Sequence, residues 1–392
     1  MKGQSNRHVL WFYRHMYTAL YGLLISRMSA QRAHEAMIGS LRVLDAAPLA
    51  YRLSGATGKA VIPVQHTEAG GVSLSQSLVL AAGLVKGDGF QSEDDALRAV
   101  KSTRIIVPGW RVVPALLGPV EFGSFTRFPR MGNDGTVMWR HASSRSTQNR
   151  VGLKNPGARA AAAFLAMRKA QLPEEFGINI AVSPGVHDIN QQEREVIESL
   201  EFFLHEGVLP AWFTLNLSCP NTEDDPLGHQ LEAETRRLCG AFISRLEERT
   251  PAIPLWVKIS PGLVAEQYHA LVRIFAELGV KAIVATNTLP APSPENSGQV
   301  AGLGGGALFD ATLEAVKHLR EEIVRSKAAI DIIACGGILD GASFQAYRDL
   351  GVKAAQYWSA LVYRGPLAAA LIESELAAYE YEYEAAHSES LA

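Results

Sequence analysis

The sequence is poor in cysteine, with three in 392 residues, at positions 219, 239 and 335. Three cannot build a disulfide framework and follow no zinc-ligand spacing, so the chain reads as a protein of a reducing compartment with no bound metal. An excess of charge of either sign is also lacking. The 37 Lys and Arg stand against 40 Asp and Glu, for a formal net charge of -3, which gives no global basic field for nucleic acid. No run of eighteen or more uninterrupted apolar residues occurs, so no transmembrane helix is expected. What is present is an ordinary globular composition, 47% hydrophobic and 20% charged. It suffices for one large α/β domain with additions, or for two domains.

The amino-terminal stretch, Met1 to about Leu44, differs from the rest. Lys2, Arg7, Arg14, Arg27, Arg32 and Arg42 face a single acid, Glu35, amid Trp11, Phe12, Tyr13, Met16, Tyr17, Leu20, Leu23 and Leu24. Arg14 and His15 interrupt the apolar run, which suits an amphipathic helix at a membrane interface rather than a span or a secretory signal. The alternative is a helix that packs on the domain. A second helical stretch, Ala30 to Leu44, places Ala33, Met37, Leu41 and Leu44 at helical spacing. The two helices form a module over residues 1–47, ended at Pro48, and residues 48–392 form the main domain.

That domain alternates strand and helix. After a β-like entry from Val61 to Leu74 with a Gly70-Gly71 turn, the predicted strands are Leu78–Leu84, Val120–Ser124, Ile178–Ser183, Trp212–Leu217, Leu255–Ile259, Ala282–Thr286, Ile330–Ala334 and Ala354–Trp358. Helical patterns follow most of them: Gln191–His205, Glu232–Glu248, Ala265–Leu278, Ala311–Val324, Gly341–Leu350 and Pro366–Tyr379. Eight strands so arranged predict a closed (β/α)8 TIM barrel, whose chemistry gathers at the carboxyl ends of the strands. Those ends carry Lys86, Asn216, Cys219, Asn221, Lys258, Asn287, Thr288, Gly336, Gly337 and Ser359.

Three features there point to chemistry. Cys219 lies between Asn216 and Asn221 at a strand's end, where a thiol of lowered pKa acts as base or nucleophile beside carboxamides that hold a planar polar substrate. A free cysteine is also commonly just buried. Lys258 falls inside the apolar strand Leu255-Trp256-Val257-Lys258-Ile259, where an unpaired ammonium is costly, so it needs an anionic substrate or cofactor, or else a buried acid. The clusters Gly302-Leu303-Gly304-Gly305-Gly306 and Gly336-Gly337, with Ser359, suit a late-barrel phosphate site. Neither cluster carries the dinucleotide fingerprint or GxxxxGK[ST], which favours a mononucleotide over NAD or ATP.

Together these motifs resemble the dihydroorotate dehydrogenase family. The matching pieces are Ala81 through Lys86, Asn149-Arg150-Val151-Gly152-Leu153, Leu215 through Thr222, Val257-Lys258-Ile259, Ala285-Thr286-Asn287-Thr288, the Leu303 glycine cluster, Cys335-Gly336-Gly337-Ile338, and Ser359 through Pro366. They run in the family's order over residues 75–370. The amino-terminal module, with Phe12-Tyr13 and Arg32-Ala33-His34-Glu35, resembles that of the membrane-associated, quinone-using class 2 enzymes.

The resemblance implies an FMN enzyme that oxidises dihydroorotate to orotate in pyrimidine synthesis and passes electrons to a quinone. Lys86 and Lys258 would contact the flavin, and Gly304, Gly305, Gly336, Gly337 and Ser359 its phosphate. Asn149, Asn216, Asn221, Asn287 and Thr288 would hold the pyrimidine, and Cys219 would take the C5 proton. His34 and Arg140 would lie near the quinone. Peripheral association with the cytoplasmic side of the inner membrane follows from the same class. Cysteine at 219 is characteristic of the soluble class, where class 2 has serine. The acidic Glu223-Asp224-Asp225 loop departs from the family pattern, and residues 91–117, with Trp110, form an insertion of no assigned function. The alternatives are a paralogous FMN oxidoreductase for another cyclic amide and a silent flavin-binding scaffold.

Overall fold

The computed structural model describes residues 2–62, 64–217 and 229–389. Eight parallel strands close on themselves: β1 Leu78–Leu80, β2 Val120–Phe125, β3 Phe176–Ala181, β4 Trp212–Asn216, β5 Leu255–Ile259, β6 Ala282–Ala285, β7 Asp331–Ala334 and β8 Ala354–Tyr357. Each pairs with the next, and β8 returns to β1 through Ala355 opposite Leu78. Both faces of every strand are buried, because outward side chains meet the helices and inward ones meet across the axis. In β4, Phe213 and Leu215 join the outer core while Trp212 joins the inner one. In β5, Leu255, Val257 and Ile259 face outward and Trp256 inward. The period of two therefore turns Thr214, Asn216 and Lys258 toward the axis.

The amino-terminal end of the barrel is plugged. The hairpin of Thr67–Ala69 and Val72–Leu74 inserts Ala69, Val72 and Leu74 beside Trp212 and Trp256, whose rings stack at 4.5 Å. Trp256 Nε1 donates to the carbonyl of Gly70 at 2.9 Å. Gly70 has φ +59°, and a Cβ there would overlap the Trp256 indole, so the turn requires glycine. With that end closed, the opposite rim is the one available for chemistry.

Above that rim lies a four-stranded antiparallel sheet in the order 289–292, 300–305, 146–149 and 138–141. Its short strands, rich in Gly, Pro and polar residues, lack the alternating apolar pattern by which strands are read from sequence.

Three helices precede the barrel: α1 Lys2–Leu23, α2 Ala30–Ala46 and α3 Pro48–Val61. Helix α2 stops before Pro48 as the sequence predicts. Proline then opens α3, because its missing N–H is no loss in a first helical turn, so helix continues to residue 61 rather than giving way at 47. Helix α1 is fastened to the barrel's carboxyl-terminal segment: Tyr13 Oη donates to the carbonyl of Arg364 at 3.1 Å and Tyr17 Oη to that of Val362 at 2.9 Å. Helix α2 is fastened by the buried Asp45 carboxylate, which accepts from the backbone N–H of Gly109 at 2.6 Å and Val112 at 3.1 Å. Residues 91–117 thereby gain a role. They hold the crossover helix Glu93–Lys101, the short helix Val112–Leu117 that seats α3, and Trp110, 3% exposed and edge-on to Phe164.

Candidate functional site

A cavity of about 440 Å³ opens at the carboxyl ends of the barrel strands, under the four-stranded sheet. Its wall contains Lys86, Asn149, Asn216, Lys258, Asn287, Thr288, Gly304, Gly305, Gly336, Gly337, Ser359 and, from α2, His34. The fold brings all twelve of these predicted site residues together. Arg140 is elsewhere: from the strand Met138–His141 its guanidinium donates to the carbonyls of Ile25, at 2.9 Å, and Met28, holding the turn between α1 and α2. Cys219, Asn221 and the 223–225 acidic loop lie outside the described residues.

The electrostatics of the wall are one-sided. Its described lining includes Lys86, Lys258 and Arg150 but no carboxylate. Lys258 is 6% exposed, and its Nζ donates to Gln356 Oε1 at 3.2 Å and Cys335 Sγ at 3.3 Å. Burial, aided by the nearby Lys154 charge, pushes Lys86 down to about 8. Burial also takes His34 down to about 4, helped by Lys86 and Lys154, so the imidazole is neutral near pH 7 and its buried Nδ1 has no partner. A cavity so lined favours an anionic or electron-rich occupant.

Beneath the cavity lies a polar layer that sequence reasoning missed. Glu121 of β2 is fully buried, and its Oε1 accepts from Asn179 Nδ2 at 2.7 Å. Its Oε2 accepts from Thr214 Oγ1 at 2.6 Å, Gln356 Nε2 at 3.0 Å and Trp212 Nε1 at 3.1 Å. Gln356 thus links the carboxylate to Lys258. The signal was available, since Glu121, Asn179, Thr214 and Gln356 are polar residues at alternate positions within apolar strands, where an inward pair across a barrel must find partners.

The polar rim is also pre-arranged. Asn287 Nδ2 donates to Asn216 Oδ1 at 3.2 Å, and Asn216 Nδ2 to Ser124 Oγ at 3.4 Å. Across the cavity Thr147 Oγ1 and Ser359 Oγ lie 2.7 Å apart. Gly305 and Gly337 have φ of +80° and +68°, and a Cβ on Gly336 or Gly337 would overlap Thr312 or Phe309, so backbone alone forms this corner. Nothing comes within 3.7 Å of a Cβ built on Gly304. An all-backbone corner with a hydroxyl pair is the kind of cradle that accepts phosphate. At the other end Lys86 and Lys258 line the wall with no carboxylate among its described residues, which suits a flavin ring, so the residues present fit FMN.

Comparison with known proteins agrees with this geometry. The family profile described as Dihydroorotate dehydrogenase matches residues 112–379. A protein of Thermobifida fusca named dihydroorotate dehydrogenase (quinone) is 30% identical over 365 residues, spanning 90% of this chain and 89% of its own. One of the same name from Leifsonia xyli is 29% identical over 371 residues, spanning 93% and 99%. Among solved structures, ligand-free DHODH from Eimeria tenella superposes with a TM-score of 0.62 at 20% identity, covering 83% of this chain and 92% of that one.

Proposed function

The chain belongs to the dihydroorotate dehydrogenase family, and from that premise we propose that it oxidises dihydroorotate to orotate with FMN in the barrel mouth and passes the electrons to a quinone. The observation that carries this reading is the gathering of Lys258, held by Gln356 and Cys335, with Asn216 and Asn287 on one cavity wall that has no carboxylate among its described residues.

Each residue then has a task. The chemistry an FMN supplies in this position is acceptance of a hydride and release of two electrons. Lys86 and Lys258 would hold positive charge beside the flavin ring, and the 304–305 and 336–337 backbone with Ser359 would receive its phosphate. Asn149, Asn216, Asn287 and Thr288 bind the pyrimidine, since carboxamides both donate to and accept from its alternating C=O and N–H groups. The Asn287–Asn216–Ser124 chain fixes two of these carboxamides before substrate arrives, which lowers the ordering cost of the bound state. Cys219, two residues beyond Leu217, takes the C5 proton as the C6 hydride leaves, and a thiol of ordinary pKa about 8.5 needs little activation to do so. Asn221 completes the set.

The quinone approaches past α1 and α2, where neutral His34 lines the cavity and Arg140 holds the turn between the helices. Exposed Trp11, Phe12, Leu23, Leu24, Val43, Leu49 and Leu53 on α1 to α3 give these helices an apolar outer face. No helix among the described residues is long and apolar enough to cross a membrane. Peripheral seating on the cytoplasmic side of the inner membrane is the arrangement we propose for that face.

Anaerobic addition of dihydroorotate to the purified yellow protein tests the reading. Bleaching of the flavin band is expected, and an unchanged spectrum refutes it. Cys219→Ala is expected to retain FMN and lose this bleaching.

A further inference from the structure

Away from the barrel mouth, two neighbouring outer helices bring two histidines and two glutamates together. His269 belongs to the helix Ala265–Leu278, and Glu314, His318 and Glu321 to the helix Phe309–Ser326. The intervals of four and three residues put the last three on one helical face. None of the four lines the cavity.

The ligand-capable atoms of His269, His318 and Glu321 all lie within 4.8 Å of one another. Glu321 Oε2 is 3.4 Å from His318 Nδ1 and 3.8 Å from His269 Nε2. Ligand atoms around a tetrahedral zinc, with bonds of about 2.0–2.1 Å, sit roughly 3.4 Å apart. The cluster therefore reaches ligating geometry through side-chain adjustments of about 1 Å, well within ordinary torsional freedom.

Two details separate this cluster from a surface ion pair. His318 Nε2 lies 3.2 Å from Glu314 Oε1. A bond there places the N–H on Nε2 and turns the Nδ1 lone pair toward Glu321, as when a carboxylate orients a metal-bound histidine from behind. The second is His269 Nε2, which is buried and without a hydrogen-bond partner. A proton on His318 Nδ1 would satisfy the His318–Glu321 contact and leave His269 Nε2 stranded. A single cation between the three groups satisfies all of them. The ring of Tyr268, 2% exposed, lies nearly parallel to that of His318, with centroids 6.1 Å apart and an interplanar angle of 16°.

We propose that His269, His318 and Glu321 form a divalent transition-metal site, with Glu314 as the positioning residue for His318, and that the bound ion clamps two outer helices of the barrel together. Two imidazoles and one carboxylate, with a fourth position open to water, suit Zn²⁺ and its spectroscopic substitute Co²⁺ rather than Mg²⁺ or Ca²⁺. The expectation of no metal came from cysteine spacing alone, and a site assembled from two helices has no contiguous motif.

The test uses the full-length, FMN-loaded protein after chelator treatment, titrated with Zn²⁺ by calorimetry and with Co²⁺ by visible absorption. One Zn²⁺ per chain, a Co²⁺ band of tetrahedral intensity and a higher melting temperature with Zn²⁺ are expected. Loss of all three is expected in His269→Ala and His318→Ala, and a drop in affinity of about 10–100-fold in Glu314→Gln. Glu321→Gln, similar in size and at an exposed position, is expected to lose them too and serves should a histidine variant shed its flavin. No Zn²⁺ uptake by the unaltered protein overturns the proposal. Equal affinity in the protein and the histidine or Glu321 variants also overturns it and marks an adventitious ion only.

Discussion

Glu121→Ala removes an acceptor shared by Asn179, Thr214, Trp212 and Gln356. Each buried donor left without a partner costs about 1–3 kcal/mol. With some water entering from the cavity above, the four together cost on the order of 4–8 kcal/mol, against a total stability of about 5–15 kcal/mol. Glu121→Gln is a different perturbation. Its amide oxygen retains the donors now on Oε2, and its new N–H faces Asn179, whose Oδ1 is buried without a partner and can turn to accept it. That variant is expected to lose about 1 kcal/mol or less. It keeps the link through Gln356 to Lys258. The assay is urea unfolding followed by circular dichroism. Glu121→Ala should unfold at far lower urea, and Glu121→Gln should unfold near the wild type. An alanine variant within about 1 kcal/mol of wild type, or two equally damaged variants, would refute Glu121 as the anchor of the polar layer.

Three further outcomes are expected. His34, lowered to about 4 from 6.5, contributes stability that is full above pH 6.5 and lost as pH falls toward 4, by ~3 kcal/mol at most; the stability difference between wild type and His34→Gln should therefore shrink on acidification, and a flat difference across that window contradicts this. Lys86, lowered to about 8 without FMN, makes binding of FMN by the apoprotein weaken as pH rises through 8, measurable by quenching of FMN fluorescence; affinity that is level up to pH 9 contradicts a cationic contact. Trp110→Ala leaves a cavity beside Phe164 and should cost about 3–5 kcal/mol with unchanged flavin reduction in the folded fraction. Slowed reduction there would give the 91–117 segment a direct part in the chemistry.

Much of this molecule was legible because barrel strands obey a simple rule. The bounds of Leu255–Ile259 and of the helix Ala265–Leu278 coincide with prediction, since an apolar strand between turn residues and an amphipathic helix ending at Gly279 carry strong local signals. Lys86, Asn216, Lys258, Asn287 and Thr288 were legible as polar side chains at strand ends, whereas Asn149 and His34 came from the family resemblance. Glu121, Asn179, Thr214 and Gln356 were not, because they sit inside strands and their meaning depends on which strands face each other across the axis. Register between distant segments is not written in any one of them. The covering sheet escaped for a similar reason: its strands have no apolar alternation, and 146–149 finds its partner, 300–305, more than 150 residues away. Pro48 was read as a boundary where it is a helix start, as either use of proline begins with the same restriction on the preceding residue. The family resemblance places Arg140 near the quinone; the structure shows it bonded to the carbonyls of Ile25 and Met28 in the turn between α1 and α2.

Oxidation in the barrel mouth and an electron acceptor arriving through the amino-terminal helices are tested together by anaerobic turnover of the full-length protein with dihydroorotate and a short-chain quinone, following orotate and quinol, with fumarate and NAD as parallel acceptors. Orotate and quinol are expected in equal amounts, with no sustained turnover with fumarate or NAD. Turnover with either of those and none with quinone would contradict this.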